Sequence, residues 1–519
     1  MRPGTQATPR GSSSMRTCTR ATRPMKCTRA SSSSPSAKAT SKRPSFRLKS
    51  AGTAIAIRTG GHQYSGASST GPDGIQMDLS TTFKSPDDLV YFSADDKSFV
   101  RTSVSYSLGE FSDFLKEHHV FVPHGLCTSV HLGGHVQTGG YGMLGRSFGL
   151  LGDHVTSLEI IDHNGEEKEI NRSSDPELFF AWLGGSPGNF GVLTHLSIEV
   201  HRDADYKGSL GLHAIHIYDA AKLCKLLGYL AEMSDDENFP RNYDLCINVV
   251  SAGADMEGYI DGLDHKMKKS LHKIFGVHKK SEFPIILVYA QYLPFGPRDK
   301  PDCAWFNRLA DGAVVPSFAE EKPVSELMPQ WILTRPREFN HRYVKRVYLT
   351  NSTTLVNDGW ANWAVGRIDE IVGKTDTGQW LAVQMQCVGG KNSMFRTNAD
   401  NGTSYSWRDS TMLMVLDNFH LDEKKEEAEA WEAVNDKQAI GPRGIFSKED
   451  RRVLWGSYGS SDLDSVWNTY HEDRSKYERL METRRVADPN GTFTPNTFCV
   501  KRAPSFAVDY KVLFTCTLH

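Results

Sequence analysis

The 519-residue sequence lacks the long apolar runs of a membrane protein and the basic excess of a nucleic-acid-binding protein. Its best apolar stretch, residues 284–293, is ten residues long, whereas a membrane-spanning helix needs about 20. Sixty Lys and Arg residues stand against 62 Asp and Glu residues, which gives a net charge of −2. A dedicated nucleic-acid protein usually shows a basic domain. We therefore expect neither a membrane span nor a nucleic-acid partner.

Residues 1–50 lack acidic side chains altogether. They contain 12 Lys and Arg residues, 18 Ser and Thr residues and five Pro residues, but only Phe46 and Leu48 as large apolar side chains besides Met. Such a segment buries too little apolar surface to offset its ordering entropy, so we expect a disordered, basic, Ser/Thr-rich leader. It also lacks the apolar stretch of a secretory signal, and the cellular compartment stays open.

The nine cysteines include no Cys-x-x-Cys pair, and the histidines show no metal-ligand spacing. Zinc ribbons and thioredoxin-type sites depend on such spacings. We therefore expect no metal centre.

From about residue 51 the chain changes to short apolar runs punctuated by glycine. Short apolar runs predict strands, among them residues 54–57 and 285–292, and apolar spacing predicts a helix over 107–119. Asn164-Gly165 lies between two such runs and predicts a hairpin. Residues 125–153 read as a glycine-rich loop region, and residues 467–484 as one helix.

The segment 125–149 is the most informative, because it has seven glycines between 125 and 145. Glycine density of this kind lets backbone N–H groups approach a polyanion such as a pyrophosphate. Gly140-x-Gly142-x-x-Gly145 formally matches the dinucleotide fingerprint of nicotinamide enzymes. No apolar strand precedes it and no helical pattern follows, so this interpretation is disfavoured. The other alternative is that these glycines serve ordinary turns.

Two motifs carry the chemistry, one before these glycines and one that contains them. The first is Arg58-x-Gly60-Gly61-His62-x-Tyr64-x-Gly66, and the second is Gly125-x-Cys127-x-x-Val130 followed by Gly133-Gly134-His135 and Gly139-Gly140-Tyr141-Gly142. Together they resemble the berberine bridge enzyme-like oxidases of the vanillyl-alcohol oxidase superfamily. Further matches are Asp153-x-Val155, Asn189-Phe190-Gly191-Val192, and the closing segment 488–498 with Asn496. The resemblance covers about residues 52–519.

The resemblance implies an α+β fold with a two-lobed FAD-binding domain over residues 51–212. A substrate-binding domain over 213–455 would contain an antiparallel sheet covered by helices, and residues 456–519 would return to the FAD-binding domain. In the family a βα unit precedes the His motif, and here that region is the polar leader. The first lobe is therefore expected to be incomplete.

By the same resemblance, FAD would be bound covalently through His62 and Cys127. An imidazole and a thiolate are nucleophiles suited to an electron-poor flavin ring. Val130 matches the family's oxygen gatekeeper, which favours an oxidase with O2 as the electron acceptor. The cofactor-binding positions implied by the motifs are Arg58, Gly60, Gly61, His62, Tyr64, Gly66, Cys127, Val130, Gly133, Gly134, His135, Gly139, Gly140, Gly142, Asp153, Asn189, Gly191, Val192 and Asn496.

The catalytic base is less clearly marked. The family's typical Glu follows a Gly-Gly pair, and the matching position here carries Met394. Tyr458 resembles the Tyr that sugar and alcohol oxidases use, with packing as the alternative, and Tyr141 matches a family active-site Tyr. For several Trp residues of the second domain there are two interpretations. They could stack on a substrate ring, or they pack in the core, which is the default for Trp.

The leading hypothesis is an FAD-dependent oxidase that takes hydride from a small-molecule substrate and reduces O2 to H2O2. An alcohol or carbohydrate and a secondary metabolite are both open as substrates. The alternative is a truncated, catalytically impaired flavin-fold protein.

Overall fold

The computed structural model describes most of the chain after the leader. The described residues are 53–71, 73–254, 269, 281–314, 320–331, 339–374, 377–440, 444–446, 452–454, 457 and 462–504. The leader 1–50 and Tyr458 lie outside them.

Within the described residues, the strands form three sheets. Strands β1 (Ile55–Arg58) and β2 (Ile75–Asp78) are a parallel pair. An antiparallel sheet of order β3-β4-β8-β6-β7, with β5 paired to β8, comprises β3 (Leu89–Ala94), β4 (Lys97–Ser103), β5 (Val120–Phe121), β6 (Val155–Ile161), β7 (Glu167–Asn171) and β8 (Val192–Arg202). A second antiparallel sheet of order β12-β9-β11-β10-β14-β15-β13 comprises β9 (Leu210–Ile217), β10 (Tyr243–Val250), β11 (Ile285–Tyr292), β12 (Glu320–Glu321), β13 (Arg342–Thr350), β14 (Gln379–Cys387) and β15 (Met412–His420).

The helices in this part of the chain are mostly short. Their bounds are α1 (Leu108–Glu117), α2 (Leu132–Gln137), α3 (Pro176–Trp182), α4 (Ala220–Asp235), α5 (Cys303–Ala310), α6 (Val324–Leu327), α7 (Trp360–Asp369), α8 (Met394–Thr397), α9 (Lys425–Ala439), α10 (Trp467–Tyr470) and α11 (Arg474–Ala487). None of these described helices has the length and apolar character needed to cross a bilayer.

The seven-stranded sheet is covered on both faces where it approaches the N-terminal half of the chain. Side chains of a strand alternate between faces, so Val347 and Val415 face the core of the N-terminal half, whereas Tyr348 and Leu416 face helices α4, α7 and α9. All nine residues of β15 are buried. This two-sided burial explains why β15 reads as a nearly continuous apolar run.

The α+β fold with a helix-covered antiparallel sheet is confirmed, and most of the expected elements occur within a few residues of their expected bounds. Two expectations were wrong. The region 125–153 is not all loop, because Leu132–Gln137 forms helix α2 despite two glycines. The helix expected over 467–484 is two helices, because His471 leaves helical geometry and Asp473 caps the second one through Lys476 N.

Arg146 joins the glycine-rich segment to the seven-stranded sheet. Its guanidinium is fully buried and donates to the carbonyl oxygens of Phe239, Pro240, Tyr243 and Gly389 at 2.7–2.9 Å. These four acceptors lie beside strands β10 and β14. One side chain therefore satisfies four carbonyls, those of Tyr243 and Gly389 in buried hydrogen bonds, across the contact between the two halves.

Replacing Arg146 with Met should lower the free energy of unfolding by about 3 kcal/mol or more, because buried carbonyls would lose charge-assisted hydrogen bonds. Urea denaturation would measure this loss. Arg342→Met is the matched control, since Arg342 forms an exposed ion pair with Asp422, and its effect should stay within about 0.5 kcal/mol. Equal effects of the two substitutions would contradict the assigned role of Arg146.

Candidate functional site

A cavity of about 260 Å³ lies where the segment after β1, the glycine-rich segment after α1 and the seven-stranded sheet meet. Eleven residues singled out from the sequence line it: Gly60, Gly61, His62, Tyr64, Cys127, Val130, Gly133, Gly134, His135, Tyr141 and Gly142. The two motifs, about 65 residues apart in sequence, therefore contribute to one site.

The loop carrying His62 begins where β1 ends. Gly61 has a φ of 70°, and a Cβ there would lie 2.6 Å from Nε of Arg58, so only glycine fits without displacing Arg58. Farther along, Asn496 Nδ2 donates to the carbonyls of Gly66 and Ser69 at 3.1 and 2.8 Å. Arg58, Gly66 and Asn496 thus shape this loop without being among the residues that line the cavity.

The loop carrying Cys127 is held by the first turn of α1. Ser107 caps this helix and forms a capping box with Glu110. The N–H groups of Leu108 and Gly109 then donate to the carbonyls of Val130 and Thr128 at 2.8 and 3.0 Å. Because the first N–H groups of a helix have no partner within it, they are available to position this loop.

The two loops also contact each other. Ser129 Oγ lies 3.4 Å from His62 Nε2. The ring of His131 packs against Gly60, where an added Cβ would be 3.0 Å from its Cδ2. The imidazole of His62 and the segment bearing Cys127 are therefore positioned relative to one another before any ligand binds.

His135 holds the beginning of the second motif. Its Nε2 accepts a hydrogen bond from Gly125 N at 2.9 Å. Burial, and secondarily nearby His124, lowers the pKa of His135 to about 3. The ring is therefore neutral near pH 7, which is the state that can accept this bond.

Glycine is required at two positions by close backbone approach. At Gly142 a Cβ would lie 1.8 Å from the carbonyl oxygen of His124, and at Gly140 it would lie 2.4 Å from Cβ of Leu151. Gly140 and Gly139 also have φ values of 72° and 109°. Gly139 and Gly140 pack behind the cavity and are not among its described lining residues.

Four other predicted cofactor residues also lie outside the lining. Asp153 is buried and forms a salt bridge with Arg408. Asn189 donates to the carbonyl of Phe493 at 2.7 Å, a Cβ at Gly191 would meet the carbonyl oxygen of Ile161 at 2.8 Å, and Val192 begins β8. A direct role of these residues in cofactor binding stays a prediction.

Tyr141 and Tyr64 contribute hydroxyl groups to the site. Tyr141 donates to Gln386 Oε1, and burial raises its pKa well above the usual value, so it is a neutral donor. Tyr64 Oη accepts from Lys345 N at 3.3 Å, and burial raises its pKa as well. Neither phenol is therefore prepared to act as a phenolate in the described surroundings. Trp360 and Trp407 are buried in the core, as their default interpretation predicts.

Sequence reasoning missed the wall formed by the sheet. Lys345, Gln384, Val415 and Asp417 line the cavity from strands β13, β14 and β15. Lys345 Nζ and Asp417 Oδ1 are 2.8 Å apart. For Asp417 the available signal was a single acidic residue inside the strongly apolar sequence of β15, which favours a paired or functional charge. Lys345 gave no such signal, because β13 also carries Arg342 and Arg346.

Comparison with known proteins finds sequence similarity in part of the first half of the chain. A family model for an FAD binding domain matches residues 47–171. Berberine bridge enzyme-like 12 from Arabidopsis thaliana is 35% identical over 156 residues, which is 29% of this chain and 28% of the relative. The chain thus matches less than a third of that relative's length.

Solved structures extend the similarity in fold. A xylooligosaccharide oxidase from Myceliophthora thermophila has a TM-score of 0.61 at 16% identity, over 87% of each chain. A glucooligosaccharide oxidase from Acremonium strictum, which carries 6-S-cysteinyl, 8α-N1-histidyl FAD, has a TM-score of 0.59 at 16% identity, also over 87% of each chain.

These findings define the chain as a protein with an FAD-binding domain. More narrowly, its fold is that of the berberine bridge enzyme-like oxidases, so the resemblance drawn from its motifs is confirmed. The residues present suit a flavin, since seven glycines line the cavity together with two imidazoles, His62 and His135, and the thiol of Cys127 from the two motifs. His131 Nδ1 is also buried there without a hydrogen-bond partner in the described structure.

The neutral state of His135 predicts a pH dependence of stability. Its folded pKa, about 3, lies below the unfolded value of 6.5, so below pH 6.5 the unfolded chain binds a proton that the folded protein excludes. The free energy of unfolding should therefore fall from pH 6.5 towards pH 4, with His135 contributing up to about 1.4 kcal/mol per pH unit. In His135→Gln this slope should be smaller, as urea denaturation across that range would show. An unchanged slope would contradict the assignment.

Proposed function

We propose that this protein is an FAD-dependent oxidase that holds its flavin through covalent bonds to His62 and Cys127. It takes hydride from an alcohol, a carbohydrate or a secondary metabolite, and O2 is reduced to H2O2. The observation that carries the proposal is the single cavity in which the His62 loop, the Cys127 loop and the sheet wall meet. The covalently bound FAD of the structurally similar glucooligosaccharide oxidase supports the same arrangement.

FAD supplies the hydride acceptor. The residues of the chain bind and orient the flavin and the substrate, and they exclude water. Gly60, Gly61, Gly133 and Gly134 leave the walls free of side chains, so a flat ring can approach the backbone closely. The contact of Ser129 with His62 orients the imidazole. A rigid position favours bond formation, because a well-oriented nucleophile needs little further ordering.

Tyr141 and Tyr458 are the residues proposed to orient the substrate hydroxyl group and to take its proton. Tyr141 lines the cavity, and its protonated hydroxyl group donates to Gln386, so its oxygen suits accepting a hydrogen bond that orients the substrate. Tyr458, outside the described residues, is proposed as the base that takes the proton. Val130 lines the cavity with a small side chain, which favours access of O2.

One sequence feature supports the impaired-protein alternative. Residues 1–50 have only Phe46 and Leu48 as large apolar side chains besides Met, where the family resemblance implies a βα unit. A chain with too few contacts to FAD would be isolated without colour, so the flavin content of the purified protein separates the two candidates.

The covalent attachment is tested by acid precipitation followed by absorbance of pellet and supernatant. Flavin should stay in the pellet of the wild type and of His62→Ala or Cys127→Ala, because each single variant retains one bond. The double variant should release all flavin to the supernatant. Cys303→Ala, at an exposed thiol, is the control and should behave as the wild type. Flavin released entirely from the wild type would contradict covalent attachment.

The role of Val130 is tested without a substrate. In Val130→Leu the added methylene narrows the cavity, so reoxidation of the dithionite-reduced flavin by O2 should slow about tenfold, or about 1.4 kcal/mol in the barrier. Stopped-flow absorbance measures this rate. Val356→Leu, at an exposed valine, is the control. An equal rate in both variants would remove Val130 from oxygen control.

A further inference from the structure

The ion pair between Lys345 and Asp417 is an unusual feature of the cavity wall. The two residues are directly opposite each other on β13 and β15, and their charged atoms are 2.8 Å apart. Their side chains are only 12% and 8% exposed. Gln384 and Val415 are cross-strand partners and line the same wall.

Burying this pair costs desolvation energy, so its presence is weak evidence for a role in stability. The opposite face of β13 already carries a buried ion pair, because Arg346 contacts Asp436 of helix α9 at 2.7 Å. Desolvating two charges costs several kcal/mol, and an apolar pair of similar volume is often as stable or more stable. A buried pair that lines a cavity is therefore better explained by what the cavity binds.

The charge balance of the cavity narrows the choice of ligand. Lys345 and Asp417 are the only Lys, Arg, Asp or Glu side chains among the described residues that line it. A cationic ligand would be repelled by the ammonium of Lys345, and an anionic ligand by the carboxylate of Asp417, because each would lie beside a charge of its own sign. A neutral hydroxyl group can instead accept from Nζ and donate to the carboxylate without breaking the pair.

We propose that Lys345 and Asp417 form the specificity determinant of the site and select a neutral, hydroxyl-bearing substrate over charged ones. The inference rests on the proposed function, because it assumes that the substrate enters this cavity. It favours an alcohol or a carbohydrate over a secondary metabolite that carries an ammonium or a carboxylate group.

Three probes of similar shape but different charge test the proposal on the flavin-loaded protein: benzyl alcohol, benzylammonium and benzoate. Isothermal titration calorimetry measures their binding and does not require turnover. The wild type should bind benzyl alcohol most tightly. Lys345→Met leaves the carboxylate of Asp417 without its ammonium partner, so affinity for benzylammonium should rise about tenfold. Asp417→Asn should raise the affinity for benzoate by about the same factor, because an uncompensated buried charge attracts a counterion.

The double variant Lys345→Met/Asp417→Leu covers the case in which a single variant does not fold, because it leaves no unpaired buried charge. It should bind benzyl alcohol more weakly than the wild type and should prefer neither ion. Lys97→Met and Glu199→Gln are matched controls. Lys97 Nζ and Glu199 Oε2 are 2.9 Å apart in an exposed ion pair, and neither residue lines the cavity. Both controls should keep the wild-type order of affinities.

The proposal is overturned if the wild type binds an ionic probe at least as tightly as benzyl alcohol, or binds none of the three. It is also overturned if substitutions at Lys345 and Asp417 leave the order of affinities unchanged. A failure of the proposed function is recognised separately, because it appears as absence of flavin in the absorbance spectrum before any probe is added.

Discussion

The buried guanidinium of Arg146 holds the glycine-rich segment against the seven-stranded sheet, and the site depends on this contact. Together with the bond from Tyr141 to Gln386, it brings the loop of Cys127 and the wall of Lys345 and Asp417 into one site. Four carbonyl acceptors within 2.9 Å fix the guanidinium in one position. Because a planar guanidinium offers donors in a fixed fork, the relative placement of the two halves is specified by geometry as well as by apolar burial.

The sequence predicts the parts of the site that depend on local chemistry. His62 and Cys127 stand out because glycines surround them in a recognisable order, and the alternation of apolar residues marks most strands. The pair of Lys345 and Asp417 could not be found this way. Its members are 72 residues apart, and only the register of β13 on β15 brings them together.

Motif matching also could not separate residues that line a cavity from residues that support its walls. Asp153 and Asn189 belong to the same ordered set of motifs as His62, yet Asp153 contacts Arg408 and Asn189 contacts the carbonyl of Phe493. Helix α2 was missed for a related reason, because two glycines lower helix propensity. There, the contact of Gly133 with Val104 requires a residue without a side chain, and tertiary packing outweighs propensity.

The C-terminal segment helps to position the His62 loop. Ile55 N donates to the carbonyl of Thr492 at 2.7 Å, and Asn496 binds the turn at Gly66 and Ser69. These contacts lie within the described residues and come from a part of the chain more than 400 residues away. Under the proposed function, a flavin bonded to His62 would therefore depend on the C-terminal segment for the position of its histidine.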